Sequence, residues 1–152
     1  MANFLLPLIT RGDRPYELRN NRTGRSIASE VIAAFEPAAR RKGLLGRDSF
    51  AKGSAMVIAP SNAIHTFWMR FAIDVLFVRR DGTVVKVCRS IPPWRMAATL
   101  WAYAVIELPA GTLAADDASV GDVLTVVAVA ESVSAVEPEE SAVDAPPLAL
   151  VG

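Results

Sequence analysis

The sequence IHTFWMRFAIDVLFVRR, residues 64–80, contains two short apolar runs on either side of the five residues from Arg70 to Asp74. Both runs are rich in aromatic and β-branched residues, which favours two buried strands joined by a bend over one long helix. Side chains alternate across a strand, so the first run is predicted to have two faces. One face would carry Ile64, Thr66, Trp68 and Arg70, and the other His65, Phe67 and Met69.

Two opposite charges bracket the predicted bend. A charge that is buried without a partner costs several kcal/mol, roughly, or is neutralised by a shift of its pKa. We therefore expect Arg70 and Asp74 to pair with each other. His65 is the only histidine of the chain and lies five residues before Arg70. These three side chains form the centre of the predicted site.

The length and composition of the chain set limits on its architecture. The 152 residues are about half apolar, enough for one domain with a proper core. We predict a single domain over residues 1–131. No run approaches the roughly 20 apolar residues of a membrane span, and we find no signal-peptide pattern. We therefore expect a cytoplasmic protein without a membrane-spanning segment. The single cysteine, Cys88, excludes an internal disulfide.

Charge is distributed unevenly, although the net charge is zero. Residues 1–100 hold all 16 Lys and Arg against 7 acids, whereas residues 101–152 hold 9 acids and no base. A basic body attracts anions, but zero net charge argues against long-range attraction of a polyanion. Residues 132–152 consist mainly of Ala, Val, Ser, Pro and Glu, which predicts a disordered acidic tail.

The remaining sequence reads as many short strands separated by Gly and Pro. Asp81-Gly82 predicts a tight hairpin, and residues 36–43 predict one short helix, with Pro37 in its first turn and Gly43 at its exit. Two consecutive prolines exclude an internal strand over residues 90–96. Strands are predicted over residues 4–9, 16–20, 27–33, 54–59, 75–78, 84–88, 101–108 and 123–129. This pattern indicates a mainly β fold, an antiparallel sandwich or a jelly-roll-like barrel.

An ordered set of motifs resembles the domain of unknown function 192 family, conserved bacterial and archaeal proteins. The resemblance covers roughly residues 24–129 and implies a compact, mainly β domain of sandwich or jelly-roll type with one short helix. It implies no agreed activity. Many relatives carry an N-terminal signal, which is not seen here. The motifs are RRKGLLGR (40–47), IHTFWMR (64–70) with IDVLFV (73–78), DGTV (81–84), PWR (93–95), VIELPAG (105–111) and GD (121–122).

The leading functional hypothesis is a polar cleft that binds a small ligand. Arginine recognises carboxylate and phosphate through paired hydrogen bonds, so the ligand is expected to be anionic. The simpler interpretation is a structural ion pair with a satisfied histidine. The candidate ligand-binding residues are His65, Arg70, Asp74, Trp94, Arg95, Arg40 and Arg47.

Two enzymatic alternatives use the same histidine. A hydrolase-like enzyme would employ His65 and Asp74 as acid and base. A thiol catalyst would require Cys88 beside them, but a lone cysteine in a valine-rich strand is usually an inert core residue. One histidine, one cysteine and one aspartate do not complete a catalytic zinc site without a further ligand such as Glu107. We therefore predict no metal and no cofactor.

A third class of function is a protein-interaction module that presents a sheet edge or the Pro92-Pro93 loop to a partner. Trp68, Trp94 and Trp101 also suggest a stacking surface for nucleic acid, but such aromatics are more often core residues, and no RNA-binding signature accompanies them. No nucleic-acid partner is expected. Of the three tryptophans, Trp94 is predicted to be the exposed one. The acidic tail has two interpretations, a solubilising appendage or a competitor for the basic face.

Overall fold

A computed structural model describes residues 2–130 as a mainly β fold of ten strands in three sheets, with two short helices. The mainly β prediction is thus confirmed. Neither helix has the length or the apolar character to cross a membrane. The elements are α1 (Leu6–Thr10), β1 (Tyr16–Asn20), β2 (Ser26–Ala28), β3 (Glu30–Ala34), α2 (Pro37–Lys42), β4 (Ser54–Ile58), β5 (Ala63–His65), β6 (Ile73–Val78), β7 (Val84–Ile91), β8 (Met96–Ala98), β9 (Ala104–Pro109) and β10 (Leu124–Ala128).

The central sheet has five strands in the order β3-β4-β9-β6-β7. Its β3 and β4 are parallel, and the other neighbours are antiparallel. Every residue of β4, β6 and β9 is buried. Strands that are covered on both faces read as unbroken apolar runs, which explains the sequences SAMVI, IDVLFV and AVIELP.

The two faces of this sheet belong to two separate apolar clusters. Leu76, Val57 and Ile106 lie in the first cluster, which they share with residues of the three-stranded sheet β10-β1-β2. Phe77 and Ile58 lie in the second cluster, which the loop after α2 and the strand β5 help to cover. The alternation along each strand therefore distributes neighbouring residues to opposite cores. A candidate site on the second face is separated from the first core by the sheet itself.

The Asp-Gly hairpin between β6 and β7 is confirmed, and its tip also connects the two larger sheets. Gly82 has a φ of 90°, and the amide of Leu124 donates to its carbonyl at 2.9 Å. A Cβ at position 82 would lie only 2.3 Å from the Leu124 carbonyl oxygen. The amide of Val84 donates to the carbonyl of Asp122 at 2.8 Å. Glycine is required here both by the positive φ and by the close approach of β10.

A two-stranded ribbon of β5 and β8 forms the third sheet. β5 corresponds to the strand predicted over residues 64–70, but it is shorter than predicted. β5 ends at His65, and residues 66–72 form turns rather than a continued strand, so the predicted two faces over residues 64–70 are wrong. Thr66 is fully buried and fixes this turn to the loop before β8. Its Oγ1 donates to the Pro92 carbonyl at 2.7 Å and accepts from the Arg95 amide at 2.9 Å.

Several other predictions require correction. Residues 4–9 are not a strand, because Leu6–Thr10 form α1 and bury Leu8 against the first cluster. The predicted strand over 27–33 is divided between β2 and β3, which belong to different sheets. The predicted loop over 90–96 contains the end of β7 and the start of β8. The predicted helix is confirmed as α2, but it is one of two helices.

The finer fold class has a mixed outcome. Within residues 2–130 the strands do not close into a barrel, since each sheet has free edges. The sandwich or jelly-roll class and the single-domain boundary at residue 131 remain predictions. The predicted acidic tail over 132–152 lies outside the described residues.

Candidate functional site

A cleft of about 490 Å³ opens beside the second apolar cluster, between α2, β5 and the end of β4. Its size falls within the range of about 300–1,000 Å³ typical of small-molecule sites. Apolar side chains form much of its wall, and six polar side chains converge on it. The apolar wall includes Leu44, Leu45, Ile58, Ile64 and Met69, and the polar side chains are Arg40, Arg41, Lys42, Ser61, His65 and Glu107. We call this site the Glu107 cleft.

Glu107 is a buried carboxylic acid without a neutralising partner. The residue is 4% exposed, and its Oε2 atom has no hydrogen-bond partner within the described residues. Burial raises the pKa of Glu107 to about 7 because removal from water penalises the charged form. Buried polar groups in native proteins almost always have partners, so this oxygen is available to a ligand.

The strand register explains why this carboxyl group lies on the cleft face. Glu107 in β9 is directly opposite Met56 in β4 and Val75 in β6. Both neighbours belong to the second apolar cluster, as does Val105 two residues earlier on the same face of β9. An acid at this position therefore has apolar neighbours on all three strands, and the cleft that it lines offers it polar groups.

A basic rim borders the cleft at the end of α2. Arg40, Arg41 and Lys42 form the last turn of this helix, where positive charge complements the helix dipole. The Arg40 guanidinium donates to the Phe35 carbonyl, which holds it near the helix. None of the three side chains forms an ion pair with a carboxylate of residues 2–130. We call these three residues the basic rim.

Gly43 ends α2 and brings the backbone close to the buried acid. Its φ of 45° and ψ of −124° form a conformation that residues with a Cβ rarely adopt. A Cβ there would lie 3.7 Å from Glu107 Oε2 and 3.7 Å from Ile58 Cδ1. The positive φ thus lets the chain turn close to the Glu107 carboxyl group. Because residue 43 is glycine, it places no side chain between its own backbone and that group.

Of the seven candidate residues, His65 and Arg40 line the Glu107 cleft and the other five do not. Arg47 lies over the Phe50 ring, with its guanidinium carbon 5.9 Å from the ring centroid. Arg95 donates to the Trp94 carbonyl at 3.2 Å. Direct ligand binding by these side chains stays a prediction, and the geometry brings only two of them together with the buried acid.

The predicted pair between Arg70 and Asp74 is wrong. Arg70 instead forms an exposed ion pair with Asp48. Asp74 is fully buried within β6, where its Oδ1 accepts from the Ser90 amide at 2.7 Å and its Oδ2 accepts from the Leu113 amide at 2.9 Å. Its two oxygens therefore satisfy backbone donors, and Asp74 does not line the cleft that contains His65.

This placement also bears on the enzymatic alternatives. With Asp74 held by backbone donors, the predicted acid–base pair with His65 is not assembled at the cleft. Cys88 is half-buried in β7, and burial raises the pKa of its thiol, which disfavours the thiolate that a nucleophile needs. Across residues 2–130, no group of three or more His, Cys, Asp or Glu side chains has a metal-binding arrangement.

Aromatic side chains form an exposed surface beside the cleft. His65 stacks on Phe67 at 5.1 Å between centroids, and Trp94 lies 5.8 Å from Phe67 and 5.2 Å from Trp68. Trp94 is 54% exposed, as predicted, but Trp68 and Trp101 are more exposed still, at 68% and 73%. Trp68 and Trp94 have φ values of 62° and 67°, a conformation unusual for bulky residues. The two loops fixed by Thr66 thus present both indoles outward.

The family model described as uncharacterized ACR, the DUF192 family, matches residues 18–126. The chain belongs to the DUF192 family. The match includes most of β1, most of β10 and every element between them, so the Glu107 cleft lies entirely within the DUF192 domain. Comparison with curated proteins returned no match.

Two solved structures resemble the DUF192 fold described above. A protein from Sinorhizobium meliloti 1021, whose name provisionally assigns it to transcription regulators, is 24% identical over 74% of this chain and 92% of its own, with a TM-score of 0.65. A protein of unknown function from Novosphingobium aromaticivorans DSM 12444 is 19% identical over 72% of this chain and 82% of its own, with a TM-score of 0.61. At these identities the likeness concerns the fold alone.

Glu107 was missed as a site residue by the sequence reasoning, which weighed it only as a further metal ligand. The available signal was a single acid inside the apolar run AVIELP. Such an acid must find a partner, shift its pKa or serve a ligand. The run IDVLFV also contains a single acid, Asp74, and this acid accepts hydrogen bonds from two backbone amides. An acid within an apolar run can therefore be structural or functional, and the sequence pattern does not distinguish the two.

Proposed function

We propose that this DUF192 domain binds a small anionic ligand in the Glu107 cleft. The observation that supports this function is a buried carboxyl group in a cleft bordered by three cations. Within residues 2–130, one oxygen of the carboxyl group has no hydrogen-bond partner and none of the three cations forms an ion pair. Charged groups that converge on an apolar cleft are characteristic of ligand sites. His65, which also lines the cleft, supplies a further hydrogen-bonding group.

The two kinds of polar group would have different tasks. The basic rim is accessible to solvent and would attract and hold the anionic part of the ligand. Glu107 lies deeper and would contact the ligand directly, which would give its Oε2 atom the missing hydrogen bond. The apolar wall would cover the carbon skeleton of the ligand. A ligand with both an anionic group and an apolar part matches this lining best.

Isothermal titration calorimetry with acetate, hexanoate, benzoate and inorganic phosphate tests the proposal at pH 6. The double variant Arg41→Gln/Lys42→Gln removes two exposed cations of the rim. We expect about a tenfold loss of affinity, equivalent to about 1.4 kcal/mol, since an exposed charge contributes up to about 1 kcal/mol.

The matched control is Arg11→Gln/Arg14→Gln, which removes two exposed arginines that do not line the cleft. The control should bind as the wild type does. Equal losses in both double variants would mean that the ligand responds only to the total charge of the protein. Absence of binding by all four probes to the folded wild type would contradict the proposal.

A second candidate function is a protein-interaction module, which the exposed aromatic surface favours. Trp68 and Trp94 project from the two loops that Thr66 joins. The loop that carries Trp94 includes the Pro92-Pro93 dipeptide. Tryptophan is enriched among residues that dominate binding energy at protein interfaces. Pull-down of a partner by the wild type and by Arg41→Gln/Lys42→Gln, but not by Trp68→Ala/Trp94→Ala, would assign partner binding to this surface. Loss of the partner in the basic-rim variant alone would contradict it.

A further inference from the structure

We propose that the Glu107 cleft binds an organic carboxylate together with one proton, and that protonated Glu107 donates this proton in a hydrogen bond to the ligand carboxylate. This inference rests on the proposed anion-binding function and specifies both the ligand class and the protonation state of the site. It concerns a group whose position is set by three strands and whose Oε2 atom has no partner within the described residues.

The chemistry of a carboxyl group makes the proton necessary. An ionised carboxylate only accepts hydrogen bonds, whereas a protonated carboxyl group has one O–H donor. Two ionised carboxylates side by side in a poorly solvated cleft repel each other, so one of them takes up a proton. The resulting O–H···O⁻ bond is of the short, charge-assisted type. An anion that reaches Glu107 is therefore expected to arrive with a proton or to bring one from solvent.

The surroundings of Glu107 favour uptake of the proton by this residue. The cleft that it lines is also lined from α2 by Arg40, Arg41 and Lys42, and from β5 by His65. Its register partners on β4 and β6 are the apolar Met56 and Val75. Among the described residues that line the cleft, Glu107 is the only one with a carboxyl group. The cations remain free to balance the charge of the ligand, because the neutral acid does not compete for them.

The apolar wall distinguishes an organic carboxylate from an inorganic anion. Leu44, Leu45, Ile58, Ile64 and Met69 would be covered by the carbon skeleton of the ligand. Burial of apolar surface is favourable by about 25 cal/mol per Å². Inorganic phosphate has no apolar surface to place there. Among the four probes, hexanoate and benzoate are therefore expected to bind more tightly than acetate, and acetate more tightly than phosphate.

Calorimetry of hexanoate binding at pH 8 in HEPES and in Tris, and at pH 6 in MES and in bis-Tris, measures the proton directly. The two buffers at each pH differ in their enthalpy of ionisation, so the difference in observed heat reports the number of protons taken up. We expect close to one proton per ligand at pH 8 and close to none at pH 6. The affinity should fall about tenfold per pH unit well above pH 7, as linkage to one proton requires.

Two variants identify the group that carries the proton. Glu107→Gln keeps the shape and provides an amide N–H donor, so it should retain hexanoate binding, with no proton uptake at pH 8 and a flat pH dependence. His65→Gln removes a hydrogen-bonding group of the cleft and should lower hexanoate affinity, while the uptake at pH 8 stays close to one proton per ligand. Persistence of the uptake in Glu107→Gln, or its loss in His65→Gln, would overturn the assignment to Glu107.

The outcomes separate this inference from the function on which it rests. Hexanoate binding without proton uptake at pH 8 would overturn the inference and leave anion binding intact. Binding of phosphate but of no carboxylate would do the same. Failure of all four probes to bind the folded protein would overturn both. Circular dichroism of each variant at both pH values establishes that the protein compared is folded.

Discussion

Glu107→Gln is expected to stabilise the protein at alkaline pH, although it removes a charged residue. Burial raises the pKa of Glu107 from 4.5 to about 7. The folded state therefore binds more protons than the unfolded state above pH 4.5, and the stability contribution of the neutral acid is lost as the pH rises through 7. Each pKa unit corresponds to about 1.4 kcal/mol, so the complete loss is about 3 kcal/mol. Glutamine is neutral at every pH, so the variant does not lose this stability as the pH rises.

Urea unfolding of both proteins at pH 5 and pH 8 tests this expectation. The variant should exceed the wild type in free energy of unfolding by about 3 kcal/mol at pH 8 and by less than about 1 kcal/mol at pH 5. Comparison at each pH cancels the titration of all other groups. Glu36→Gln serves as the control, because it removes an exposed carboxyl group outside the cleft. Equal stability of wild type and Glu107→Gln at pH 8, with equal urea dependence, would refute the reasoning.

Three further substitutions test the structural roles of charged residues. Asp74→Asn should lower the free energy of unfolding by about 2 kcal/mol, since its amide group would face a backbone N–H, without changing hexanoate affinity. Asp122→Asn should cost about 2 kcal/mol by urea unfolding at pH 7. Arg22 holds the pKa of Asp122 at about 2, so this difference should shrink as the pH falls below 3.8. Arg70→Met should cost less than about 1 kcal/mol, because its pair with Asp48 is exposed. A large loss in Arg70→Met, or a changed affinity in Asp74→Asn, would contradict these placements.

The parts of the fold that the sequence predicts are those whose causes are local. The Asp-Gly hairpin and the helix from Pro37 to Lys42 follow from backbone preferences of a few adjacent residues. The helix α1 was misread because LLPLI is also compatible with a buried strand. Its conformation is decided by packing of Phe4, Leu5 and Leu8 on the first cluster, which no local pattern contains.

The candidate site was predicted less completely, for a related reason. The single histidine was predicted to belong to the site, and His65 does line the Glu107 cleft. The roles of the acids depend on groups distant in sequence. Asp74 accepts hydrogen bonds from amides 16 and 39 positions away, whereas Glu107 Oε2 accepts none from any residue between 2 and 130. Two acids in similar apolar strands thus have opposite roles, and only the tertiary structure separates them.

The pairing of β1 with β10 has a consequence for how the chain acquires its structure. Tyr16 is aligned with Ala128 and Asn20 with Leu124, so an early segment is completed by one of the last. During synthesis, residues 16–20 emerge more than a hundred positions before their partner, with backbone donors and acceptors still unmatched on that side. Closing so long a loop is slow relative to local hairpin formation. The three-stranded sheet is therefore expected to assemble only after β10 has been synthesised, on a central sheet whose nearest hairpin has already formed.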